Sequence, residues 1–191
     1  MTAALKIPMQ MTVAEFLAWN PPGRLWQLVD GEPQAMAPPN RTHGAIQAEL
    51  GHLITSHLDQ GGPCSVIVGP GVIPHAKADI NFRVPDLAVT CSPYETEEAA
   101  LTDPVLVVEI LSPSNQAETW SNVWTYTTIP SVQEILVVKT AVIGAELLRR
   151  QPDGIWPKQP LTIERGDLVL ESIGLHVALT ALYRTTRLAR S

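Results

Sequence analysis

A chain of 191 residues with 45% hydrophobic and 17% charged residues has the apolar material for a packed core, which excludes an intrinsically disordered segment. A formal net charge of −6 argues against a stand-alone, non-specific nucleic-acid binder, because such proteins draw affinity from basic residues that neutralise phosphates. No apolar run reaches the ~18 residues of a membrane helix, and the stretch from Met1 to Phe16 lacks the basic, apolar, small-residue order of a signal peptide, so the expectation is a single cytoplasmic domain with no membrane contact.

Thr12-Val13-Ala14-Glu15 has the form of a capping box and predicts a short helix over about 12–19, stopped by Asn20-Pro21-Pro22-Gly23. Leu25–Val29 and Glu32–Met36 flank Asp30-Gly31, a strong hairpin signal because both turn residues tolerate positive φ. Ile46, Leu50, Leu53, Ile54 and Leu58 recur at helical spacing, so a helix is expected over 42–58, ended by Gly61-Gly62-Pro63. Short strands are expected at Ser65–Val68, at Val72–Pro74 and over Val84–Val89. Val105–Leu111 is apolar on both faces apart from one residue and reads as a central strand. A helix over about 116–127 and a strand over Glu134–Val138 complete a β-α-β unit whose crossover is long enough for parallel pairing. Ala145–Arg150 is a further strand, 152–174 reads as short strands and turns, and 176–183 as a closing helix. The sum is an α/β chain with a mixed sheet and helices on its faces.

Cys64 and Cys91 match no metal-knuckle or redox spacing and are expected as buried small hydrophobes in a reducing compartment. Arg184, Arg187 and Arg190 form a basic tail, read as a solvated helix end. His43, His52 and His57 do not share one helix face and make no zinc pattern.

Glu109 is the anomaly. It sits inside Val-Leu-Val-Val-Glu-Ile-Leu, where an unpaired buried carboxylate costs several kcal/mol or is forced to protonate. It has three ways out: a polar cleft at the strand end, an arginine partner, or a metal. Asp86, in Arg83-Val84-Pro85-Asp86, is a second acid beside a strand. Two such acids with the Ile110 carbonyl nearby are the hard oxygen ligands that Mg²⁺ prefers, and a metal there activates water and stabilises charge on a phosphate.

Several short motifs in order then carry a resemblance. Leu28-Val29-Asp30-Gly31-Glu32 is followed by Met36-Ala37-Pro38-Pro39 with His43 and by Val84-Pro85-Asp86. Next come Val108-Glu109-Ile110-Leu111-Ser112-Pro113-Ser114 and Tyr126 with Ile129-Pro130-Ser131-Val132. Over about residues 11–150 this order resembles the Uma-two (Uma2) family, restriction-endonuclease-like proteins of the PD-(D/E)XK nuclease superfamily. The resemblance implies a restriction-endonuclease-like core, a Mg²⁺- or Mn²⁺-dependent site that cleaves phosphodiester bonds in DNA, and a homodimer. It implies Asp86 and Glu109 as metal ligands, with Gln27, His43 and Asn122 lining the site.

Three positions depart from the pattern. The superfamily lysine two residues after the glutamate is Leu111 here, and the family lysine four residues before the tyrosine is Asn122. Gln27 stands where the family often has a glutamate, while the acid at Glu118 is kept. A lysine near the scissile phosphate stabilises developing negative charge, which asparagine cannot do. Lys139 is either a substitute or a solvated strand-end lysine. The reading is thus a metal-dependent nuclease with a depleted site, beside a catalytically weakened domain serving binding or assembly. His43 is expected either to cap its helix through the backbone or to line the cleft. Trp120 and Trp124, four residues apart, are expected to pack or to form a dimer surface.

Overall fold

The computed structural model describes residues 10–19, 25–93 and 98–190; the stop at Asn20-Pro21-Pro22-Gly23 lies outside them. The expected capping box forms at the first helix, α1 (Val13–Trp19): Thr12 N–H and Oγ1 both donate to Glu15 Oε2, and Glu15 N–H donates back to Thr12 Oγ1. The hairpin of β1 (Trp26–Val29) and β2 (Glu32–Ala35) turns through Asp30 and Gly31, with φ of 49° and 86°. Helix α2 (Arg41–Leu58) starts at Asn40, whose side chain accepts from His43 N–H.

Six strands form the main sheet in the order β3-β4-β5-β6-β7-β8. They are β3 (Ser65–Val68), β4 (Leu87–Thr90), β5 (Pro104–Leu111), β6 (Glu134–Lys139), β7 (Ala145–Arg149) and β8 (Leu161–Ile163). Only β5 and β6 run parallel, joined by helix α3 (Gln116–Tyr126) as expected of the β-α-β unit. A separate hairpin pairs β9 (Asp167–Leu170) with β10 (Leu175–Ala178).

Strand alternation divides the core between two faces. Leu106, Val108 and Ile110 of β5 pack with Ile46, Leu50 and Ile54 of α2. Val107 and Leu111 pack on the opposite face with Val123 and Tyr126 of α3. Glu109 shares the parity of Val107 and Leu111, so it projects toward α3. A third cluster joins Met11, Val13 and Phe16 to Leu28, Phe82 and Val84, and so docks the hairpin against the chain before β4. Leu28 and Phe82 exchange both backbone hydrogen bonds there.

Three expectations are corrected. Val72–Pro74 is not a strand; Val72 makes one isolated bridge to Arg83. The chain passes so close to Phe82 that a Cβ on Gly71 would lie 2.0 Å from its ring, and Pro74 has no N–H to extend a ladder. The closing helix is instead β10 followed by a 3-10 turn, Leu179–Tyr183, because His176 and Val177 pair with Val169 and Leu168 across a turn at Gly174. Cys64 and Cys91 are neither buried nor free; they form a disulfide. The register that sets Ser65 opposite Thr90 carries the flanking cysteines to facing positions, so strand pairing decided what their spacing could not. Arg184 ends the 3-10 turn with its side chain 68% exposed, as a solvated helix end should, and in addition bonds the buried Glu49 of α2 at 2.8–2.9 Å. No helix among the described residues is long and apolar enough to cross a membrane.

Candidate metal centre

The site lies where β4, β5 and α3 meet the hairpin and the start of α2. Leu87 is opposite Val108 and Ala88 opposite Val107, so extending that register by one step brings Asp86 alongside Glu109. Pro85 delays β4 and leaves Asp86 at its mouth rather than inside its ladder. Asp86 is held from two sides. Its Oδ1 is 2.7 Å from His43 Nε2, and its Oδ2 accepts the Ile110 N–H at 2.6 Å. Its carbonyl accepts from Gln47 Nε2 and Gly69 N–H. His43 therefore bonds a carboxylate through its ring, while its backbone N–H goes to Asn40. Since N–H and C=O of one strand residue project to the same side, the Ile110 carbonyl is directed along the edge that faces Asp86.

Glu109 is 7% exposed and accepts the Tyr126 hydroxyl at 2.7 Å and a hydrogen bond from Asn122. Both donors are neutral, and among the described residues Glu109 takes part in no ion pair within 4.0 Å. Burial, then the charge of Asp86, push its carboxyl well above the usual carboxylate range; the Tyr126 bond opposes this, the charge of Glu118 adds to it, and the Asn122 bond opposes it. Tyr126 is driven up in turn by burial and by Glu109. These residues meet because α3 turns Thr119, Asn122, Val123 and Tyr126 inward at helical spacing.

Gln27 is 1% exposed. Its Nε2 donates to Glu118 at 3.1 Å, while its Oε1 is buried without a partner among the described residues. Lys139 pairs opposite Leu111 rather than Glu109, is 26% exposed, and its Nζ is bound to Glu146 at 2.8 Å. Trp120 packs against the α3-side core, and Trp124 remains 41% exposed. Arg83 escaped the sequence reading. It is 4% exposed; burial disfavours its charge, while Tyr126, Asp30, Glu118 and Glu109 favour it. The signal available in sequence was Arg83 three residues before Asp86, sharing the parity that the Leu28–Phe82 pairing gives it with Gln27.

The donor set suits a hard cation. Mg²⁺ is bound through one or two carboxylates and keeps several waters, and two neighbouring carboxylates with a backbone carbonyl beside them supply only oxygen. Among the described residues no group of three or more His, Cys, Asp or Glu is arranged to hold a metal, so a cation here rests on Asp86, Glu109, backbone oxygen and water. The unpartnered Gln27 Oε1 adds a buried acceptor nearby.

A family model described as "Putative restriction endonuclease" (Uma2) matches residues 13–182. The uncharacterized protein slr1290 of Synechocystis sp. is 32% identical over 179 residues, covering 92% of each chain. A crystal structure titled as "a putative nuclease belonging to DUF820", from Anabaena variabilis, superimposes with a TM-score of 0.74 over 91% of this chain and 97% of its own. At 19% identity that likeness shows the fold, which is restriction-endonuclease-like.

Proposed function

This chain belongs to the Uma2 family, and from that premise we propose that it is a metal-dependent nuclease acting on phosphodiester bonds of DNA, with Asp86 and Glu109 holding Mg²⁺ or Mn²⁺. Membership and fold support a restriction-endonuclease-like nuclease, and nucleases of this kind generally use divalent metals. The observation that carries the finer reading is Glu109 itself. A carboxylate buried in a sheet, alongside a second acid and bonded only by neutral donors, is stabilised most by a cation.

When bound, the ion supplies Lewis-acid charge against a phosphate. The protein's own groups do the positioning. His43 and the Ile110 N–H fix the two oxygens of Asp86, as outer partners fix metal-ligating carboxylates. Tyr126 and Asn122 orient Glu109, the Ile110 carbonyl offers a neutral ligand, and Gln27 bonds Glu118. Asn122 stands where the family lysine is expected, and Lys139 is committed to Glu146, so the charge that stabilises a cleaving phosphate is thin. That favours one second reading, a weakened domain serving binding or assembly. The exposed Trp124 beside Trp120, with ring centroids 6.3 Å apart, gives an apolar surface for a homodimer.

The test is cleavage of DNA with Mg²⁺ and with Mn²⁺, beside Asp86→Ala and Glu109→Ala. Metal-dependent cutting lost in both variants is the expected result. Mn²⁺ binding without cutting, together with cutting gained in Asn122→Lys, would favour the binding module. Absence of Mn²⁺ binding to the natural protein would sink the metal site.

A further inference from the structure

Arg83 has an unusual position for a buried cation. It is 4% exposed, yet among the described residues no carboxylate lies within 4.0 Å of it. One amino group, Nη2, donates to Asn81 Oδ1 at 2.9 Å, and Asn81 is itself committed to the hairpin turn at Asp30. The Nε–H is buried and has no partner. Such an arrangement is costly unless the charge is used, because a desolvated guanidinium needs either a counter-charge or a full set of acceptors.

The fold explains where the charge is aimed. Leu28 and Phe82 are a doubly hydrogen-bonded antiparallel pair whose side chains face the α1 cluster. One step along, Gln27 and Arg83 are opposed on the other face, toward α3 and the carboxylates. Gln27 is neutral and turns its amide to Glu118, so it does not neutralise Arg83. The acids that feel the guanidinium are Asp30, Glu118 and Glu109. Asp30 already has Lys77 at 3.0 Å, which leaves the site acids as the charges without a direct cation.

We propose that Arg83 is the resident counter-charge of the carboxylate site, a positioning residue that holds Glu109 and its acidic neighbours together while no metal is bound and repels a metal when one enters. The first half stands on the protein alone. The second rests on the reading of Asp86 and Glu109 as metal ligands. A buried cation with no described carboxylate within 4.0 Å acts on these acids through the low-dielectric interior without competing for their ligand oxygens.

The experiment is a double-mutant cycle at pH 8 on the full chain without metal, using Arg83→Gln, Glu109→Gln and the double variant, with urea unfolding as the measure. Arg83→Gln is expected to lower the folding equilibrium constant, and that loss should be at least about fivefold smaller once Glu109 is already neutral. Arg83→Lys, which keeps the charge and loses the planar fork, is expected to retain most of the coupling; a role in shape alone would not survive that change. Equal losses in both backgrounds overturn the proposal. If Arg83→Gln alone does not fold, a folded double variant supports it and an unfolded one overturns it. Mn²⁺ titration of the same proteins separates the two readings. Arg83→Gln should tighten Mn²⁺ binding about tenfold by removing a like charge, and weaker binding overturns the proposal. If the natural protein takes up no Mn²⁺ while the coupling is present, the metal reading fails and the counter-charge stands.

Discussion

Two buried glutamates on neighbouring strands have opposite surroundings. Glu134, at the start of β6, is 1% exposed and saturated: Arg149 Nε donates to its Oε1 at 2.7 Å, and Ser172 N–H and Oγ donate to its Oε2 at 2.8 and 2.6 Å. Those bonds tie β6 and β7 to the turn of the β9–β10 hairpin. Glu109, on β5, has two neutral donors and acidic neighbours. One carboxylate is consumed by the fold, and the other is kept unbalanced by it. Burial alone therefore does not identify a functional acid; the charge of its partners does.

The largest effect should come from the saturated end. Glu134→Leu strands Arg149 and two donors of Ser172, and is expected to cost about 4 kcal/mol in urea unfolding. A loss near zero would erase the distinction between the two glutamates. Next is the disulfide, which anchors the end of β4 remote from Asp86. Closing a loop with a sequence separation of 27 should stabilise by about 3 kcal/mol. The double Cys64→Ser/Cys91→Ser variant should therefore melt lower while Mn²⁺ affinity is unchanged; lost affinity would show that the staple shapes the site.

Tyr183 belongs to the saturated side. Its hydroxyl lies 2.8 Å from the Lys139 and Gly144 carbonyls and accepts the Gly144 N–H at 3.1 Å, and burial pushes it up to about 12. A pKa raised by folding contributes stability that is present below the unfolded value, about 10, and is lost as pH rises through the folded one. Tyr183→Phe should cost about 1 kcal/mol at neutral pH and flatten the fall in stability between pH 10 and 12. A fall of the same steepness in the variant would assign it to other groups. The smallest effect is expected at the site. Glu109→Gln removes the repulsion of Asp86 and the pull of Arg83 together; the two offset, and metal-free stability should change by less than about 0.5 kcal/mol, with Mn²⁺ binding lost in calorimetry. A loss like that of Glu134 would make Glu109 a structural acid.

The central β-α-β unit was legible because local patterns dictate it. Capping box, Asp-Gly turn, helical spacing in α2 and α3, and the apolar run of β5 each depend on residues a few positions apart. Asp86 and Glu109 were legible because a carboxylate in or beside an apolar strand contradicts its surroundings. The ring contact of His43 with Asp86 was not, since it joins residues 43 positions apart. The same limit hid Arg184 on Glu49, 135 positions away. The end of the chain failed for a different reason: Leu175–Ala178 is short enough to serve as helix or strand, and pairing with β9 chose strand.

By itself the sequence determined the periodicities, the family and the two acids, because each is written in residue type and local spacing. Tertiary structure alone decided which donors reach Glu109, that Lys139 is taken by Glu146, that the cysteines meet, and that Arg83 is buried facing the carboxylates. Those outcomes depend on strand register, and a shift of one residue would turn every side chain to the other face.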